Sequence, residues 1–245
     1  MLFENHAVTL GDVYFHLVVP EVPNGAGLVI VPTMYGLGPD RFMRPNTSIL
    51  DIAARYGAKG FTIAVWDFYA GDPPTTDRDR ARAMSARLRD AWAVRQISSC
   101  VTYLSETRGQ KKVGALGYCV GGRFIFLHGA KDHRLAAAAA VYPSVHKINN
   151  ANQDENAIER AGEMICPVLM AYPGRDETTA QVTFEGLQRA LQGRKLSSAT
   201  TTSLFYPHAE HGFFSRPGQA NEAATATAWA ALDAFFVAHL VTALN

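Results

Sequence analysis

At 245 residues, with a formal net charge of +1 and 18% charged residues, the chain can bury a sizeable core in one α/β domain and carries neither an acidic tail nor the basic surface that nucleic acid selects. The opening run MLFENHAVTLGDVYFHLVVP lacks the basic segment, apolar run and small-residue cleavage site of a leader, and no uninterrupted apolar stretch is expected to span a bilayer. These features predict a cytoplasmic protein that works on a small molecule as a monomer or small homo-oligomer, with no nucleic-acid or membrane partner.

Alternation from Ala7 to Val19 predicts one or two antiparallel strands, and the turn-rich break from Pro20 to Gly27 separates them from the first buried strand, GLVIVPT. That strand feeds the loop Thr33-Met34-Tyr35-Gly36-Leu37-Gly38, glycine-rich enough to pass close to a ligand. Ile49, Leu50, Ile52 and Ala53 form a helical stripe, which predicts a helix from Phe42 or Asn46 to Tyr56, followed by a strand from Phe61 to Trp66. From Asp77 to Leu104 the pattern is helical and bears Arg78, Arg80, Arg82, Arg87, Arg89 and Arg95. Most of these should be a solvated face, with one or two near the start able to meet an anionic substrate.

The stretch from Lys111 to Phe126, KKVGALGYCVGGRFIF, reads as a strand turning abruptly into a helix with Cys119 at the apex. Gly117 and Gly121 stand where side chains would collide with a nucleophile held in strained geometry. Such a turn lifts the thiol above the carboxyl edge of the sheet and sets the first helical amides beside it. Leu135 to Tyr142 is the next strand, and the polar stretch from Ser144 to Glu163 reads as an excursion above the sheet. Pro167 to Tyr172 forms another strand, followed by Pro173-Gly174-Arg175-Asp176-Glu177. A helix from Ala180 to Leu191, a strand from Thr201 to Tyr206 and a helix from Ala220 to Leu240 complete the chain. The alternation predicts a single α/β domain over residues 1–245, with a mostly parallel central sheet and helices on both faces.

Three cysteines without a CxxC or Cys/His metal spacing argue against disulfide or metal architecture. Cys100 and Cys166 read as buried small apolar residues. Cys119 differs because Asp176 and His211 each follow a later strand, in the order nucleophile, acid, histidine. Carboxyl ends of parallel strands are where open α/β sheets place their sites, and a cysteine nucleophile needs a base held by a third group. Glu177 competes with Asp176, and His208 with His211. His211 is preferred because Gly212 permits close approach and Phe213 can wall a pocket.

The runs GYCVGG, PGRDE, EHGF and PTMYG resemble the dienelactone hydrolase family, the cysteine branch of the α/β-hydrolases, over nearly the whole chain. The resemblance implies the α/β-hydrolase fold and a carboxymethylenebutenolidase-type activity on an activated lactone or enol ester, through a thioester and without metal or cofactor. It makes Cys119 the nucleophile, His211 the base and then acid, and Asp176 its orienter, with oxyanion amides at Val120 and Met34. Thr33, Tyr35 and Phe213 would contact substrate. Its carboxylate would meet Arg216 and one of Arg78, Arg80 or Arg82. Thr33 stands where the family carries a glutamate beside the thiol, and threonine cannot accept a proton at neutral pH, which points to direct transfer from Cys119 to His211. Arg123 is a further departure, expected either to lower the thiol pKa or to pack outward. Two other readings follow from the same residues: a ligand-binding protein with little hydrolysis and, less favoured without a resolving cysteine, a thiol redox sensor.

Overall fold

Strands whose side chains are apolar on both faces belong in a sheet covered on both sides. The computed structural model describes residues 2–39, 43–145 and 152–241 and contains such a sheet. Its elements are β1 (Leu2–Leu10), β2 (Val13–Pro20), β3 (Ala26–Val31), α1 (Ile49–Gly57), β4 (Thr62–Trp66), α2 (Arg78–Ser85), α3 (Asp90–Thr102), β5 (Lys112–Tyr118) and α4 (Val120–Lys131), then β6 (Leu135–Val141), α5 (Ala157–Ala161), β7 (Val168–Arg175), α6 (Gln181–Gln192), β8 (Thr201–Glu210) and α7 (Gln219–Leu240). The eight strands run in the order β1-β2-β4-β3-β5-β6-β7-β8. β2 is antiparallel to both β1 and β4, and every pairing from β4 through β8 is parallel. This is the α/β-hydrolase fold.

Because successive strand residues point to opposite faces, each central strand feeds two cores. Val29, Val31, Ala115, Ala138 and Met170 join Ile97, Phe124 and Phe184 beneath α3, α4 and α6. Leu28, Ile30, Leu116, Ala139 and Leu169 join Ile52, Tyr56, Leu232 and Phe236 beneath α1 and α7. The five consecutive alanines of β6 let α4 and α7 approach the sheet closely from either side. Cys100 and Cys166 are buried apolar residues of the first core.

Several boundaries depart from the sequence reading. α1 begins at Ile49 because Ser48 and Asp51 form a reciprocal capping box; Phe42 lies outside the described residues, as do residues 146–151 of the polar excursion. The single helix expected from Asp77 to Leu104 is broken between α2 and α3, and Arg89 is extended there. The break turns Asp90 inward against Arg123, a tertiary contact that helical periodicity does not register. β8 runs on to Glu210, past the expected end at Tyr206. α7 is long and apolar enough to cross a bilayer by composition alone, contrary to the expectation that no such stretch exists. It is nonetheless a core helix: Ala224, Ala228, Leu232 and Phe236 are buried on the sheet, and Asp233 pairs with Arg55 and Lys59.

The turn from β5 into α4 depends on backbone contact closer than any side chain allows. A Cβ on Gly117 would lie 2.4 Å from the Gly121 carbonyl oxygen, and one on Gly121 would lie 2.2 Å from that of Val31. Both obstacles are backbone and cannot rotate away. Gly121→Ala should therefore lower the urea midpoint by the equivalent of roughly 1–3 kcal/mol, as overpacking does. An unchanged midpoint would show that α4 can withdraw from β3 without cost.

Candidate active site

Cys119 sits at the carboxyl end of β5 with φ 54° and ψ −120°, a backbone conformation that side chains rarely adopt. Three hydrogen bonds hold it there. Its N–H donates to the Val141 carbonyl at 3.1 Å, and its carbonyl accepts from the N–H groups of Ser144 at 2.8 Å and Arg123 at 3.3 Å. The side chain, 8% exposed, reaches a cavity of about 450 Å³.

Asp176 follows β7 directly, and its side chain is 2% exposed. One carboxylate oxygen accepts the N–H groups of Thr178 at 2.7 Å and Thr179 at 2.8 Å. The other lies 2.8 Å from His211 Nδ1. An ionised carboxylate only accepts, so Nδ1 carries the proton and Nε2 is left for chemistry. The Tyr142 ring packs edge-on against the imidazole at 5.2 Å and is itself held at φ 37°. His208 is exposed on the edge strand β8, and Glu177 lines the cavity, while the carboxylate hydrogen-bonded to His211 is that of Asp176.

Thiol and imidazole each change the other's ionisation. Burial pushes the Cys119 thiol up, but the charge of the facing His211, helped by Ser144 and the Val120 N–H, outweighs it and leaves the thiol below its ordinary value. Burial pushes His211 down, but the Cys119 charge, the hydrogen bond to Asp176 and the Asp176 charge raise it to about 9. Each group therefore favours the charged form of the other. His211 Nε2 has no closed hydrogen bond among the described residues, and such contacts commonly tighten only when substrate arrives.

Thr33, Met34, Tyr35, Val120, Arg78, Arg82 and Arg216 all line the cavity with Cys119 and His211. The Thr33 hydroxyl accepts the Tyr35 N–H at 3.3 Å, so it shapes the loop, while His211, Ser144 and Val120 act on the thiol. Arg78 and Arg82, four residues apart on α2, face the cavity and form no ion pair among the described residues, whereas Arg80 lies outside its lining. Arg216 is 3.4 Å from Glu210.

Two expectations require correction. Phe213 is not a pocket wall: it is fully buried and packs edge-on behind Tyr142 at 5.3 Å, because the turn after His211 directs its ring into the core beneath α7. Arg123 neither tunes the thiol nor packs outward. It is buried in an ion pair with Asp90 that neutralises its charge.

Sequence reasoning missed Tyr142, Ser144, Ser85 and Gln153, all in the cavity lining. Tyr142 and Ser144 follow β6, the neighbour of β5, so the rule that sites gather at strand ends could have found them. Ser85 and Gln153 carry no comparable signal.

A model of the dienelactone hydrolase family matches residues 14–240. The chain belongs to that family. The carboxymethylenebutenolidase of Rhodococcus opacus is 25% identical over 225 residues, which cover 90% of this chain and 84% of that one. A Klebsiella pneumoniae protein assigned to the dienelactone hydrolases has the same fold, with a TM-score of 0.77 at 20% identity over 96% of this chain and 97% of its own. A dienelactone hydrolase-like promiscuous phosphotriesterase, P91, from metagenomic libraries gives 0.73 at 18% identity over 96% and 97%. The protein is thus a dienelactone hydrolase-type hydrolase with a small-molecule substrate.

The mutual charge stabilisation has a measurable signature. Alkylation of Cys119 by iodoacetamide, followed by peptide mass spectrometry, should rise with pH through a midpoint below the ordinary thiol value of 9.0. A second change is expected near 9 as the imidazolium loses its proton. In His211→Ala, where burial acts unopposed by the imidazolium, the midpoint should move upward. An identical profile in that variant would show that the two groups are not coupled.

Proposed function

We propose that Cys119, His211 and Asp176 act as nucleophile, base and orienting acid in the hydrolysis of a small activated ester or lactone that carries a carboxylate. The observation behind this reading is the lowered thiol of Cys119 facing an imidazole whose other nitrogen is 2.8 Å from Asp176. The thiolate attacks the carbonyl carbon, and the electron pair moves onto the oxygen, where the amides of Val120 and Met34 stabilise it. Collapse of this intermediate expels the alkoxide or enolate, which takes the proton from His211 Nε2 and leaves a thioester on Cys119. The now neutral His211 accepts a proton from water as the water oxygen attacks the thioester. The second intermediate releases the carboxylic acid and restores the thiolate and imidazolium.

Because Thr33 cannot take a proton, this reading gives the activating step to His211 alone. Ser144 and the Val120 amide hold the thiolate between turnovers. An activated ester suits the arrangement, since an imidazolium near pKa 9 is a modest acid and serves a stabilised enolate better than a simple alkoxide. Arg78, Arg82 and Arg216 in the cavity lining supply cations for the substrate carboxylate. Three free thiols accord with a cytoplasmic location.

Cys119→Ala should reduce turnover of an enol-lactone or aryl ester by at least about 1000-fold, the scale of losing a nucleophile; retained activity would overturn the assignment. Arg78→Ala with Arg82→Ala should raise KM for a carboxylated ester about tenfold, the scale of one charge-assisted contact, and leave KM for its uncharged analogue nearly unchanged. Equal changes for both esters would remove the carboxylate from the proposal.

A further inference from the structure

Arg123 takes no part in the chemistry above, yet it lies one helical turn beyond Cys119 and is 3% exposed, against an Asp90 that is 1% exposed. Its guanidinium grips Asp90 with both terminal nitrogens, one at 2.8 Å from Oδ2, and also donates to the Glu155 carbonyl at 2.9 Å. Asp90 Oδ2 accepts the Glu155 N–H at 2.9 Å, and the Asp90 N–H donates to the Asn152 carbonyl at 2.9 Å. From this short segment Asn152 Nδ2 reaches the Ala86 carbonyl at 2.9 Å and Gln153 Nε2 the Ser85 carbonyl at 3.2 Å. Ser85, Ala86 and Gln153 line the cavity that holds Cys119. A continuous set of hydrogen bonds therefore connects the helix that carries the nucleophile to a separate part of the pocket wall.

Stability alone does not account for this pair. A buried ion pair recovers little beyond its desolvation cost, and a well-packed apolar pair often does as well. What the forked guanidinium adds is geometry, because two parallel hydrogen bonds fix distance and orientation together. The partners are also the right ones for that task. Carbonyls at the end of a helix lack internal donors, and here those at the end of α2 are met by Asn152 and Gln153, which Asp90 in turn holds against α4.

We propose that Arg123 and Asp90 are a positioning pair that sets the separation between Cys119 and the wall formed by Ser85, Ala86 and Gln153, and thereby limits the size of the group that reaches the sulfur. The inference rests on the reading of Cys119 as nucleophile only in its kinetic consequence; the spacing of the wall can be measured without turnover. In Arg123→Met with Asp90→Leu, which substitutes an apolar pair, the Cys119 labelling rate of a bulky N-aryl maleimide relative to iodoacetamide should rise about tenfold, since displacements near 1 Å are felt strongly at a reacting centre. The pH midpoint of iodoacetamide labelling should stay where it is, because His211, Ser144 and Val120 are untouched. KM for a small carboxylated ester should rise about tenfold while kcat changes less than about threefold, the pattern of lost uniform binding.

Arg123→Lys keeps the charge and loses the fork, and should raise the labelling ratio about threefold. It decides the matter should the double variant fail to fold. A folded double variant with the parent labelling ratio and KM would overturn the proposal, as would an unchanged ratio in Arg123→Lys. A parent protein whose thiol midpoint is not below 9.0 would instead count against the triad, and the labelling ratio would still report on the wall.

Discussion

The architecture of the site depends on one close approach, that of the first turn of α4 to the end of β3. Gly121 has no Cβ because the Val31 carbonyl oxygen occupies the space, and Gly117 is bare for the same reason against Gly121. This contact forces Cys119 to φ 54°, which turns its side chain out of the sheet and into the cavity. A relaxed backbone would let the thiol pack among the apolar residues that surround it, where burial raises a thiol's pKa, as it does for Cys100 and Cys166. The three cysteines have the same chemistry, and backbone geometry with one charged neighbour separates the third from the other two.

That neighbour is itself a product of the fold. Asp176 and His211 lie on loops after β7 and β8, and two backbone N–H groups hold the carboxylate in place before the ring is added. The acid is satisfied independently of its partner, so the imidazole meets a fixed charge instead of a mobile one. Tyr142 and, behind it, Phe213 complete the support from the core side. The thiol is held below its ordinary value although Thr33 contributes no charge, because His211, Ser144 and the Val120 N–H together outweigh desolvation.

Local pattern carried the fold a long way. Uniformly apolar runs announced the parallel strands, and the alternation of strands with helices announced the two-sided sheet, since both are consequences of a core on each face. The order of Cys119, Asp176 and His211 was legible because each follows a strand and parallel strands end on the same edge. Residues whose position depends on packing were not legible. Phe213 has the composition of a pocket wall and is buried behind the site. Arg80 shares a helix with Arg78 and Arg82 but lies outside the cavity lining. Arg123 has the spacing of a residue that could face the thiol, yet it is drawn to a carboxylate thirty-three positions earlier in the chain.

The amino-acid sequence by itself determined the sheet, the elbow and the strand ends from which a thiol, an acid and a histidine come, because hydrophobic periodicity, glycine placement and strand order are local or ordinal properties. Only the tertiary structure decided which acid holds the imidazole, which arginines face the cavity and what Arg123 does. These outcomes turn on distances of a few ångströms between segments remote in the chain, and charge interactions in a buried site depend steeply on such distances.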